Sequence, residues 1–212
     1  CTEMGMIMIM APLSRYVIDL NRSDNGELLY SDSRAQSNLV PTKSFKQETL
    51  YSSSEPDENE VSRRIIEYYN PYYNRVDSIL SDLENKFGHS LLFDCHSIAR
   101  NVPSIQKEDF PDMILGSNDE RSADKSIIQI AMDVLNACDY EVSHNAPFKG
   151  GHITRHFGTP EKHRHALQLE MSQDVYMDTE NKIYSPFIRP SIRPVLKELF
   201  EQINQVMENL NS

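Results

Sequence analysis

The chain has 212 residues, 39% of them hydrophobic and 25% charged, which is enough for one substantial domain, 1–212, with a full core. A formal net charge of −11, with Lys and Arg scattered rather than clustered, excludes a nucleic-acid partner, because phosphate binding needs a basic face. Cys1, Cys95 and Cys138 are widely spaced; they make neither a disulfide framework nor a CxxC zinc site and point to a reducing cytoplasm.

The apolar run MGMIMIMAPL near the start is about half the ~20 residues of a membrane span. It also lacks the basic flank of a signal peptide, so no membrane partner is expected. Residues 6–20 (MIMIMAPLSRYVIDL) read as a strand, a break at Pro12 and a second extended run ending in Asp19-Leu20-Asn21-Arg22. Residues 23–60 are polar and aperiodic, a loop long enough to be functional or partly disordered. From Glu58 to about Lys86 apolar residues recur at helical spacing, with Pro71 set to kink or break the helix. Gly88 closes it, and Ser90–Phe93 reads as a buried strand. A helix over Ala123–Ala137, strands at Tyr140–His144 and Ala166–Met171, and an amphipathic closing helix over 190–211 complete the chain. This alternation predicts an α/β fold, with active groups just past the carboxyl ends of strands.

Several residues carry candidate chemistry. His96 follows a core strand, and Asp94, two residues earlier, could take the second ring N–H of a metal-bound imidazole; a structural histidine is the alternative. Asn21 and Arg22 offer an amide and a planar fork of donors suited to a carboxylate, or Arg22 simply pairs with Asp19 or Asp24. In ALQLEM, strand alternation puts Gln168 and Glu170 on one face, with Leu167 and Leu169 on the other. A carboxylate there is a metal ligand, a general base, or part of a solvent-facing sheet. Gly150-Gly151 could let backbone approach a ligand flanked by Lys149 and Arg155, although a hairpin turn explains the glycines equally well. His163 and His165 could share a strand face and bind metal, or His163 lies in an exposed loop. No GxSxG, P-loop, GxGxxG, HExxH, HxxE or HxxD motif is present.

The segments SRYVIDLNR (14–22), DCHSI (94–98), PDMILGSND (111–119), NAPFKGGHITRHFG (145–158), HALQLEM (165–171) and YMD (176–178), in this order, resemble the N-formylglutamate amidohydrolase family. The resemblance implies a three-layer α/β/α sandwich with a mixed sheet, phosphorylase/hydrolase-like, as in zinc exopeptidases and aspartoacylase-like enzymes. It implies zinc-dependent hydrolysis of N-formyl-L-glutamate to formate and L-glutamate, a step of histidine degradation. By the same resemblance His96 is a zinc ligand in the DCHS turn, with Asp94 orienting it, and Glu170 activates the water. Asn21 and Arg22 hold the α-carboxylate, and Lys149 and Arg155 hold the second carboxylate. The family's early Pro-His-x-Gly motif is not in this sequence, so an N-terminal segment with at least one zinc ligand is expected to be missing. The alternatives are a metal-free, non-catalytic member and a deacylase of another N-acyl acidic amino acid.

Overall fold

A computed structural model describes residues 4–31, 36–185 and 192–210. Its contacts divide the chain into two units, Cys1–Ile79 and Leu80–Ser212.

In the first unit the two extended runs expected over 6–20 do not form strands. Ile7, Met8 and Met10 are 59%, 60% and 70% exposed. No strand among the described residues pairs with this run, and an alternating apolar run becomes a strand only when a neighbour pairs with it and buries one face. Val17 closes a turn onto the carbonyl of Ser14, after which Ile18 and Asp19 are buried. As expected, no helix or regular strand intervenes among the described residues before Glu58, apart from an isolated bridge between Lys43 and Thr49. Helix α1 (Glu58–Arg64) starts where the Asp57 carboxylate accepts from the Glu60 amide at 2.8 Å. Instead of breaking at Pro71, the chain widens into a π-helical turn over Ile65–Tyr69 and continues as α2 (Asn70–Phe87). The Asn70 amide reaches back five residues to the Ile65 carbonyl. Pro71 supplies no N–H for the carbonyl of Glu67, and the wide turn just ahead of it accommodates that missing rung. Tyr69, Tyr73 and Val76 form the buried stripe of this stretch.

The second unit begins within α2, which ends at Gly88; its φ of +82° suits a residue without a side chain, and its amide bonds to the Glu84 carbonyl. Strand β1 runs over Ser90–Ile98, more than twice the expected length, so Asp94-Cys95-His96-Ser97 is strand and not turn. Strands β2 (Met113–Gly116), β3 (Val142–His144) and β4 (Arg164–Ser172) complete a sheet of order β1-β4-β2-β3. The β1–β4 and β2–β3 pairs are parallel and β2–β4 is antiparallel, so the sheet is mixed. Helix α3 (Lys125–Asn136), capped by Asp124, and closing helix α5 (Ile192–Asn209) pack on one face. There Leu91, Phe93, Leu115, Leu167 and Leu169 meet Ile127, Leu135, Leu199 and Ile203. Burying such side chains stabilises by about 1.5–3 kcal/mol each relative to exposure. Helix α4 (His152–Phe157), entered through Gly151 beside Gln168, lies against β1 and β4 on the other face. This is the expected α/β/α layering around a mixed sheet. A short hairpin of β5 (Met177–Asp178) and β6 (Ile183–Tyr184) follows β4. No helix among the described residues is long and apolar enough to cross a membrane.

Candidate functional site

In the second unit, strand pairing assembles the site. Register partners project to the same side of a sheet, and residues two apart share a face. Asp94 lies opposite Gln168 and His96 opposite Glu170, while on the far side of β4 Gly116 faces Gln168 and Ile114 faces Glu170. Asp94, His96, Gln168 and Glu170 therefore occupy one face, away from the apolar core under Leu167 and Leu169, as the alternation of β4 predicts. Because β1 continues to Ile98, register rather than a turn brings His96 beside Glu170.

His96 Nε2 stands 2.8 Å from Asp94 Oδ2, with both side chains largely covered. An ionised carboxylate only accepts, so Nε2 carries the proton in this contact. Gln168 is 4% exposed, and its Oε1 accepts from the Gly151 amide at 2.8 Å. That bond seats the 149–151 loop on the sheet. Gly116 makes the seating possible, since a Cβ there would stand 2.5 Å from the Gly150 nitrogen. Gly150 is itself at φ +104°, a conformation that side chains rarely adopt. Lys149 Nζ donates to Asp119 Oδ2 at 3.0 Å, and Arg155 Nε to the Gly150 carbonyl at 3.0 Å. The bond from Lys149, opposed by slight desolvation and aided by the charges of Lys149, Arg121 and Arg155, holds the Asp119 carboxyl below its ordinary range. Asp119 lies in a run of three left-handed residues, Asn118 to Glu120, anchored by the buried Ser117.

His163 and His165 do not form a pair on one strand face. His163 is left-handed (φ 60°) and precedes β4, whereas His165 is buried on the core side. Among the described residues, no group of three His, Cys, Asp or Glu is placed to hold a metal ion.

In the first unit, Asn21 and Arg22 sit in an irregular loop. The buried Asp19 carboxylate accepts from Arg15 Nη2 at 2.5 Å, Ser37 Oγ at 2.9 Å and the Asn21 amide at 3.1 Å. Arg22 Nη1 lies 3.9 Å from it, the ionic alternative noted for Arg22. The Arg22 side chain also donates through Nε to the Ser37 carbonyl and through Nη1 to the Asn21 carbonyl. Burial works to raise the Asp19 pKa, but Arg15 and Arg22 outweigh it and hold the group below its usual value.

Asp119, Gly116 and Gln168's bond to Gly151 belong to this arrangement without having been singled out for it by sequence. The signal available was GSND, whose Gly116 follows three apolar residues and closes what proves to be β2.

The family model for N-formylglutamate amidohydrolase matches residues 1–177. An N-formylglutamate deformylase of Pseudomonas aeruginosa is 38% identical over 204 residues, covering 95% of this chain and 76% of that protein. One from Pseudomonas putida is 36% identical over the same extent. The crystal structure of an N-formylglutamate amidohydrolase from Ralstonia eutropha superposes with a TM-score of 0.72 at 21% identity, over 93% of this chain and 75% of that one. A protein of Agrobacterium tumefaciens superposes at 0.67 and 16% identity, over 93% and 69%. These likenesses carry the fold, and the family model with the two deformylases carries the family: the chain belongs to the N-formylglutamate amidohydrolases.

Proposed function

We propose that this chain hydrolyses the formyl amide of N-formyl-L-glutamate, releasing formate and L-glutamate, with histidine degradation as its setting. The observation that carries the reading is the register pairing of His96 with Glu170 on the face where the Gly150 loop is seated. Glu170 is half-buried and points to the same side as His96, suited to taking a proton from an attacking water. Water oxygen bonds to the formyl carbon, the C–N bond breaks, and Glu170 returns the proton to the departing amine. The family resemblance gives Arg22 and Asn21 the substrate's α-carboxylate and gives Lys149 and Arg155 its second carboxylate.

The family resemblance carries a zinc ion with His96 among its ligands. The described residues do not fit such a site by themselves: a catalytic zinc takes three protein ligands, and no three donors converge here. Zinc content by elemental analysis, measured with formate release from N-formylglutamate, decides the cofactor.

Glu170→Gln tests the proton role. It keeps the shape and removes the base, and turnover is expected to fall by about 10²–10⁴-fold with metal content unchanged. Metal lost in parallel would make Glu170 a ligand instead. A chain that binds N-formylglutamate without releasing formate would be a binding member, and preference for an N-acyl aspartate would move the substrate to another acidic amino acid.

A further inference from the structure

We propose that Tyr69 and Tyr73 are positioning residues for Asn21 and Arg22, fixing the loop that the proposed function assigns to the substrate's α-carboxylate. The inference rests on that assignment.

The loop at 19–22 has no strand or helix to hold it, so its backbone acceptors must be satisfied one by one. The Asp19 carbonyl accepts from the Arg22 amide at 3.1 Å. The Leu20 carbonyl accepts from the Tyr73 hydroxyl at 2.7 Å, and the Asn21 carbonyl from Arg22 Nη1 at 2.8 Å. The Arg22 carbonyl accepts from the Tyr69 hydroxyl at 2.9 Å. The two phenols thus fasten the chain on either side of Asn21, at peptides two apart, while the Asp19 and Asn21 carbonyls are satisfied within the loop and the Asp19 and Arg22 side chains tie it to Arg15 and Ser37.

The donors are rigid. Tyr69 and Tyr73 are one helical turn apart, both buried, and stacked with centroids 4.2 Å apart and planes 15° from parallel. Tyr72 meets Tyr73 edge-on at 6.0 Å. Burial pushes the Tyr69 phenol up to about 12, with its neighbour Tyr73 opposing, so it stays a donor at any pH the protein meets. Tyr69 closes the π-helical turn, which sets the phase at which the pair enters α2. Buried tyrosines in general find a partner for the hydroxyl. Here both do so within the same three-residue stretch, the one that carries the two candidate carboxylate donors.

The test uses Tyr69→Phe and Tyr73→Phe, which keep the ring stack and remove one donor each. Two probes are titrated calorimetrically, every protein carrying Glu170→Gln so that neither probe is consumed: N-formylglutamate, and N-formyl-4-aminobutyrate, which lacks the α-carboxylate. The unaltered protein is expected to prefer N-formylglutamate, and Arg22→Ala to abolish that preference. Each Tyr→Phe change is expected to cut the preference about 10-fold while the Kd for N-formyl-4-aminobutyrate stays within about 2-fold, the loss one misplaced charged contact produces. Equal weakening toward both probes, or an undisturbed preference, would mean that the tyrosines serve packing alone and would overturn the inference. An unaltered protein that binds both probes equally, or neither, would overturn the assignment of Arg22 first and this inference with it.

Discussion

The loop bearing Asn21 and Arg22 and the sheet face bearing His96 and Glu170 solve one problem in two ways. On the sheet face, repetitive backbone bonds between β1 and β4 set the register, and side-chain placement follows from counting residues. In the loop, each peptide is held by a separate donor: Arg64 reaches Val17, Tyr73 reaches Leu20, and Tyr69 reaches Arg22, from 47 to 53 positions away. The sheet spreads its support over many equivalent bonds. The loop concentrates its support in a few side chains, so single substitutions should tell there most clearly.

The largest effect on stability is expected at Asp19. Its carboxylate is 3% exposed and anchors Arg15, Ser37 and the Asn21 amide. Breaking a buried ion pair by removing one partner costs about 3–5 kcal/mol. Arg15 is 41% exposed on its side chain, which puts Asp19→Ala at the lower end, about 3 kcal/mol. Urea unfolding measures it, and a loss below about 1 kcal/mol would show that the loop is not held through this residue. Acid probes the same group. Its pKa is lower folded than unfolded, so its contribution is present above the ordinary value of 3.8 and is lost as pH falls through the folded value.

The sheet unit should answer acid earlier, through His165. This ring is 2% exposed, accepts from the Asp124 amide through Nδ1 at 3.2 Å, and has no partner at Nε2 among the described residues. Nδ1 must then be unprotonated, and burial, opposed by the charge of Asp124, lowers the pKa from 6.5 to about 4. Unfolded chain binds the proton first, so stability is whole above 6.5 and falls between 6.5 and about 4. The slope approaches about 1.4 kcal/mol per pH unit, and the full loss is about 3 kcal/mol. His165→Gln retains an acceptor for the Asp124 amide and should flatten urea-measured stability across that window. An unchanged slope would place the acid sensitivity in other groups.

What sequence made legible follows the same division. Strand alternation placed Gln168 and Glu170 together and the leucines beneath them, because β4 is long and has a face of each character. Helices α3 and α5 stand close to their expected bounds because their apolar periodicity is sustained over three turns or more. β2 escaped notice, since four consecutive buried residues show no period. The polar content of Asp94-Cys95-His96-Ser97 read as the end of a strand, but β1 lies at the sheet edge, where polar side chains can continue a strand without being buried. The extended runs at 6–20 read as strands because propensity measures fit to a pleated surface and says nothing of whether a neighbour exists. The partnership of Tyr69 and Tyr73 with the DLNR carbonyls was invisible for a related reason: a donor nearly fifty positions from its acceptor leaves no local trace.

A smaller effect is expected at Gly116, and it separates the two kinds of support within the sheet unit itself. Its face of β2 is covered by backbone rather than side chain: an added Cβ would lie 2.5 Å from the Gly150 nitrogen and 2.9 Å from the Lys149 carbonyl carbon. Neither atom can rotate away as the end of a side chain could, so Gly116→Ala must lift the 149–151 loop or bend β2. Overpacking of this kind costs about 1–3 kcal/mol. If the sheet is the sturdier partner, the loop moves, the Gly151–Gln168 bond lengthens, and Lys149 and Arg155 shift while His96 and Glu170 stay in register. Amide hydrogen exchange would then show lost protection at Gly151 with β1 and β4 unchanged. Protection lost along β4 instead would mean that the loop holds the sheet, reversing that order of support.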